Sequence, residues 1–268
     1  MTRVRVDLGY SGEPFSGFAR QPDRVTVQGT LEGALSRVVG ADVDTTCAGR
    51  TDAGVHALAQ VVHLDVDATT ARAGRWLDLL ANHPESVRRR LDRMVGEAIS
   101  VWAVGVVPDD FDARFSATER RYRYRLVDAA VADPRLRGVR WVVGEALDVD
   151  AMHEAAQHLV GEQDFASLCR RAPGRHTRRR VDEAAVERVD HEVHVRLRGP
   201  AFCHQQVRSS VGCLVEVGAG RRPPGWVAEV LAARDRSVAA RVAPPQGLTL
   251  EGVSYGDAFP PGPPFPVR

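Results

Sequence analysis

Lysine is absent: all 36 basic residues are arginine, set against 35 acids for a formal net charge of +1. A bias toward GC-rich codons is the simplest explanation. Its physical consequence is that every basic side chain apart from histidine is a planar guanidinium, able to fork its hydrogen bonds onto carboxylate or phosphate oxygens. No apolar run approaches the roughly 20 residues of a membrane-spanning helix, and the opening "MTRVRVDLGY" lacks the apolar core of a signal peptide. These two absences lead to the expectation of a cytoplasmic protein with no membrane partner. No C-x-x-C pair occurs among Cys47, Cys169, Cys203 and Cys213, which argues against a zinc site or a disulfide framework and for buried, reduced thiols. No cluster of histidine, cysteine and acids has ligand spacing, so no metal is expected. With 44% hydrophobic and 26% charged residues, the composition excludes a disordered or fibrous chain.

The near-zero net charge says nothing about nucleic acid, but its distribution does. "CRRAPGRHTRRR" (169 to 180) carries six arginines, among them Arg170, Arg171, Arg178 and Arg179, and no acid, with the Gly and Pro of a loop. "RRYRYR" (120 to 125) adds four more. Such runs are often solvated faces, yet an acid-free arginine loop also suits phosphate, so an RNA or nucleotide partner becomes plausible.

Periodicity gives the architecture. "RVRVDL" alternates Val4, Val6 and Leu8 with Arg3, Arg5 and Asp7, the pattern of a half-buried strand. Val27, Leu31, Ala34, Leu35 and Val38 recur at helical spacing between an N-cap Thr26 and a stop at Gly40. "AQVVHLDV" and "ISVWAVGVV" read as strands around one helix-like, arginine-rich segment, 72 to 94. The second half reads as a strand "RYRYRL", a helix "DAMHEAAQHLVG", a hairpin turning near Asp190, two helices and a last strand "GLTLEGVSY". The fold class expected is α+β: two similar domains, 1–110 and 111–268, each an antiparallel sheet with helices on one face, the sheets continuous across a central cleft. The proline-rich end "PPGPPFPVR" is expected to lie extended on the surface.

Three elements carry the chemistry. In "GRTDAGVHA" (49 to 57), Asp52 stands among small residues between two predicted strands, with Arg50 beside it. Thr-Asp-Ala-Gly is a common turn. A carboxylate so placed can also act as nucleophile or base at a sugar carbon. On the strand "RRYRYRL", Tyr122, Tyr124 and Leu126 share one face and Arg121, Arg123 and Arg125 the other. A tyrosine there either packs in the core or stacks on an extruded base. On "AFCHQQVRSSVG", Arg208 emerges beside an apolar stripe of Val207, Val211 and Leu214; if half buried it needs a carboxylate, for which Asp52 is a candidate.

The chain resembles the tRNA pseudouridine synthase A family through "CAGRTDAGVHALAQVVH" (47 to 63), "VPDDFDARFSATERRYRYRL" (107 to 126), "GEQDFASL" (161 to 168), "AFCHQQVRSSVGCLVEVG" (201 to 218) and "GLTLEGVSY" (247 to 255), in the family's order. The resemblance implies a cofactor-free enzyme that turns uridine into pseudouridine in the anticodon arm of tRNA, conventionally positions 38 to 40. It implies Asp52 as the catalytic aspartate, Arg50 as an RNA-binding neighbour and Tyr122 as the residue stacking on uracil. Arg208 would pair with Asp52, and Leu248 would line the pocket. It implies a homodimer in which one tRNA touches both subunits. Departures exist. Ser11 stands where the family usually has Asp, "FARQ" replaces Trp-Gln-Arg-Gln, "QVRS" replaces Met-Val-Arg-Asn, and "RRRLDRMVGEAISV" replaces the Leu-Asn and Leu-Pro motif. They bear on RNA positioning, and they motivate a competing reading as a tRNA-binding or folding protein without turnover. A third reading, a glycosyl-bond hydrolase, lacks a second catalytic acid.

Overall fold

The protein is described by a computed structural model covering residues 1–130, 133–170, 174 and 176–257. Strand β1 (Thr2–Tyr10) buries Val4, Val6 and Leu8 completely, as their alternation dictates. Its other face differs from expectation, because Arg5 and Asp7 are buried as well. They form a forked ion pair, Nε to Oδ2 at 2.9 Å and Nη2 to Oδ1 at 2.7 Å. The Arg5 guanidinium lies over the rings of Phe111 and Tyr255 at 5.5 and 5.0 Å. Burial pushes the Asp7 carboxyl above its ordinary range, with Arg5 pulling against that shift.

Helix α1 (Val27–Val39) starts where Thr26 Oγ1 accepts the Gly29 N–H at 3.2 Å and stops at Gly40, whose φ of 85° only glycine adopts freely. β2 (Thr46–Cys47) pairs with β3 (His56–Val66), and β3 lies antiparallel to β1 with Val6 opposite Val62. The arginine-rich stretch forms two helices instead of the expected one: α2 (Ala71–Asn82) ends at His83 and α3 (Pro84–Met94) begins at Pro84. Proline lacks the N–H that would continue α2, and it pushes His83 out of the helical region, to φ −140°. β4 (Ile99–Val106) pairs with the other edge of β1.

The chain divides into two compact units, one of Met1–Thr118 with the chain from Leu250 onward, the other of Glu119–Thr249. This differs from the expected division at 110/111. Residues 111–118 stay with the first unit because Phe111 packs on Tyr255 at 5.0 Å and Ala113 donates to His63 Nδ1 at 2.9 Å. Tyr255 in turn donates its hydroxyl to the Ala113 carbonyl at 2.8 Å. The boundary returns inside the last strand, so the first unit is discontinuous in sequence.

In the second unit β5 (Glu119–Val127) and β6 (Trp141–Val142) pair in parallel, Leu126 opposite Trp141. Helix α4 (Val149–Gln157) is capped by Asp148. β7 (Gly161–Asp164) pairs antiparallel with β8 (Arg178–Val181), and β9 (Glu183–Val189) turns at Asp190, φ 52°, into β10 (Glu192–Gly199). β10 runs between β9 and β5, with Leu197 opposite Tyr122. Helices α5 (Gln206–Gly218) and α6 (Trp226–Ala233) precede β11 (Leu248–Ser254). The fold is thus mixed α and β with antiparallel sheet predominating, in the α+β class.

The thiols correct another expectation. Cys169 and Cys203 are joined as a disulfide with Cα atoms 5.8 Å apart, while Cys47 and Cys213 take no part in a disulfide. Spacing could not show this, because the two come together only when the turn after β7 folds back beside the segment leading into α5, where the Arg170 N–H donates to the His204 carbonyl at 2.9 Å. Among the described residues no helix is long and apolar enough to cross a membrane.

Candidate active site

Asp52 sits in the loop between β2 and β3, and the loop is held from beneath. Fully buried Gln60 on β3 donates Nε2 to the Gly49 carbonyl at 2.7 Å and to the Tyr10 hydroxyl at 3.2 Å. The Tyr10 hydroxyl also shares a hydrogen bond with Thr51 Oγ1 at 2.8 Å, so three buried side chains from β1, the loop and β3 fix the residue before Asp52. On the far side the Asp52 carbonyl accepts the Val55 N–H at 3.1 Å, closing a turn whose third residue, Gly54, has φ 78°.

The segment after β1 clamps the same loop. The Phe18 N–H donates to the Thr51 carbonyl at 3.0 Å, and the Gly12 N–H donates to His56 Nδ1 at 3.1 Å. Glycine is required at Gly12, where a Cβ would lie 2.2 Å from the Val55 carbonyl oxygen. Asp52 itself is half-buried and Arg50 is exposed. The turn reading and the functional reading of Asp52 are therefore compatible, since an ordinary turn geometry presents the carboxylate on a rigid base.

The second unit holds the other expected residues. The strand alternation stands: Tyr124 and Leu126 are fully buried, Arg120 joins their face, and Arg121 lies outward. Tyr122 is half-buried and meets the Phe202 ring edge-on, centroids 5.3 Å apart. Tyr124 donates its hydroxyl to the Pro244 carbonyl at 2.8 Å, and burial pushes its pKa well above the ordinary range. It is a packing residue. Leu248 is buried next to Gly247, where a Cβ would come within 2.5 Å of the Tyr124 ring.

Arg208 lies on the first turn of α5 and donates Nε to the Ala243 carbonyl at 2.8 Å, while the Ala243 N–H donates back to the Arg208 carbonyl at 3.1 Å. The start of α5 is itself constrained: Gln205 adopts φ 66°, unusual for a residue with a Cβ, and Arg236 holds its Oε1 at 3.1 Å.

The arginine run is not the acid-free loop expected. Arg178 and Arg179 stand on β8 with Arg180, where Arg178 meets Glu162 at 3.3 Å and Arg180 meets Asp182 at 2.5 Å. Glu162, from the preceding strand, and Asp182, two residues beyond Arg180, neutralise part of the run. Arg170 is exposed, and Arg171 lies outside the described residues, as do Arg175 and the proline-rich end. Sequence reasoning missed the Tyr10, Thr51 and Gln60 network and the part played by Phe202. A glutamine amid the apolar run of β3 was the one available signal.

Among the described residues no group of three or more His, Cys, Asp or Glu could hold a metal. Residues 9–115 and 155–256 match the family described as tRNA pseudouridine synthase. The chain belongs to that family. It is 44% identical over 264 residues to the tRNA pseudouridine synthase A of Ralstonia nicotianae, covering 97% of this chain and 92% of that one. Identity to the enzyme of the same name from Streptomyces griseus is 44% over 259 residues, covering 94% and 88%. To that of Caulobacter sp. strain K31 it is 42% over 257 residues, covering 95% and 98%. Within the family match, Arg50 and Asp52 fall in the first segment and Arg208 and Leu248 in the second, whereas Tyr122 lies in the stretch between them.

Proposed function

We propose that this chain isomerises uridine to pseudouridine in the anticodon stem-loop of tRNA, at positions 38 to 40, without a cofactor, using Asp52 as its catalytic carboxylate. The observation that carries this reading is the Asp52 loop in a chain of this family: a carboxylate at a half-buried turn tip, anchored below by Tyr10, Thr51 and Gln60. In the reaction uracil leaves C1′ through N1, turns, and rejoins through C5, so no atom is gained or lost. A nucleophile or base must act at the sugar or the ring, and the detached base must be kept from escaping. Attack on C1′, addition at C6 and removal of the 2′ proton each remain compatible with Asp52.

In this proposal Tyr122, buttressed by Phe202, stacks on the extruded uracil, and Leu248 lines the apolar wall. Arg208 is assigned the role of keeping Asp52 ionised and aimed. Arg50 and the arginines of 170–179 bind phosphates. We assign the working form as a cytoplasmic homodimer that shares one tRNA between subunits. The test is pseudouridine formation on an unmodified tRNA transcript, read at nucleotide resolution in the anticodon arm.

A further inference from the structure

We propose that Cys169 and Cys203 form a reversible thiol–disulfide site that exchanges with small-molecule thiols and disulfides, and that its bond staples the segment before α5 to the turn after β7. The separation of 5.8 Å between their Cα atoms is what a disulfide spans without backbone movement. The surroundings hold the pair in register: the Arg170 N–H reaches the His204 carbonyl at 2.9 Å, and Gln206 Oε1 accepts the Cys203 N–H at 2.9 Å.

The two sulfurs are unequal. Cys169 is fully buried and Cys203 is part-exposed, so a dissolved reagent meets Cys203 first. Cys203 also precedes the N-terminal turn of α5, at the end where Arg236 binds Gln205 and Ser209, both at 3.1 Å. The Cys203 thiolate attacks one sulfur of a small disulfide and expels the other as thiolate. Cys169 then attacks Cys203 Sγ and expels the second. Two protein thiols are oxidised, one small disulfide is reduced to two thiols, and the two cysteine protons end on those thiols.

The neighbour of Cys203 is Phe202, whose ring meets Tyr122. Closing the bond therefore steadies the buttress of Tyr122, and only this last consequence rests on the proposed function. The full-length protein is equilibrated in reduced and oxidised glutathione at graded ratios, quenched with acid, and its thiols are alkylated. Peptide mapping and hydrogen exchange over 200–208 follow. The expected result is four alkylated cysteines under reducing ratios and two, Cys47 and Cys213, under oxidising ones, with a 169–203 cross-linked peptide and slower exchange in 200–208. Cys203→Ser should lose the transition, and Cys47→Ser should keep it. Four reactive thiols at every ratio, a mixed disulfide that never resolves, or exchange in 200–208 indifferent to oxidation would each overturn the proposal. Pseudouridine formation is measured in parallel, so a silent enzyme with an intact thiol transition counts against the functional reading alone.

Discussion

Replacing Gln60 by Leu tests whether the base of the Asp52 loop does more than hold the fold together. Gln60 is fully buried, and its side chain hydrogen-bonds both polar groups of Gly49, the carbonyl at 2.7 Å and the N–H at 3.4 Å, as well as the Tyr10 hydroxyl at 3.2 Å. Leucine fills a similar volume but returns none of these bonds. Tyr10 keeps Thr51 as a partner at 2.8 Å, so the cost falls chiefly on Gly49. At about 1–3 kcal/mol for each buried polar group left unsatisfied, and with the long N–H contact counting little, the expected loss is about 2–3 kcal/mol. The effect on turnover should be disproportionate, because Gly49 lies three residues from Asp52 and a shift of about 1 Å in a reacting group can cost on the order of 100-fold. Urea unfolding gives the first number and single-turnover pseudouridine formation the second. Leu64→Ala is the control: it is buried on the same strand opposite Val4 and should lose about 2–5 kcal/mol by cavity formation. If Gln60→Leu turns over as fast as Leu64→Ala at matched folded fraction, the network is merely structural and the reasoning fails.

Three further outcomes are expected. Arg178, Arg179 and Arg180 replaced by Gln should weaken tRNA binding and flatten its log–log salt dependence by roughly one per phosphate contact removed, whereas an unchanged slope would make β8 a solvated, acid-paired strand only. Asp128 is held below the usual carboxylate range chiefly by Arg188, with Nη2 at 2.7 Å from Oδ2, so the stability it contributes is present above its unfolded value and lost as pH falls through its depressed one. Asp128→Asn should therefore lower the urea midpoint at pH 7 far more than at pH 3, while Asp7, whose value burial raises, contributes in the opposite sense; an equal loss at both pH values would refute the linkage. Finally, Arg208→Met should cut turnover by orders of magnitude, and a double-mutant cycle with Asp52→Asn should show coupling in unfolding free energy, strictly additive losses meaning that the two do not pair.

Local order was legible in the sequence wherever one rule governs one element. Thr26 and Gly40 bounded α1 because a capping hydroxyl and a left-handed glycine act within four residues. The β5 alternation placed Tyr124 and Leu126 inward because side chains on a strand alternate whatever surrounds them. Legibility failed where distant segments meet. Arg5 and Asp7 read as a wet face, yet Phe111 and Tyr255 come from far along the chain to cover it. The arginine run read as acid-free because Glu162 precedes it on a separate strand. The cysteines read as scattered because 34 residues separate the two that join. Asp52 was visible as a candidate from its motif, whereas its support from Tyr10 and Gln60 arises only when β1 and β3 pair, which no local pattern reveals.

We propose Asp52 as the catalytic carboxylate of a uridine isomerase. The direct measurement incubates the purified protein and its Asp52→Asn variant with an unmodified tRNA transcript and maps pseudouridine by carbodiimide-dependent primer extension, with tRNA affinity measured alongside. Stops at positions 38 to 40 are expected for the unaltered protein and none for Asp52→Asn, whose affinity stays within about tenfold because no phosphate contact is removed. Pseudouridine formed by Asp52→Asn above a mock control, or none formed by the unaltered protein on any tRNA it binds, would contradict it.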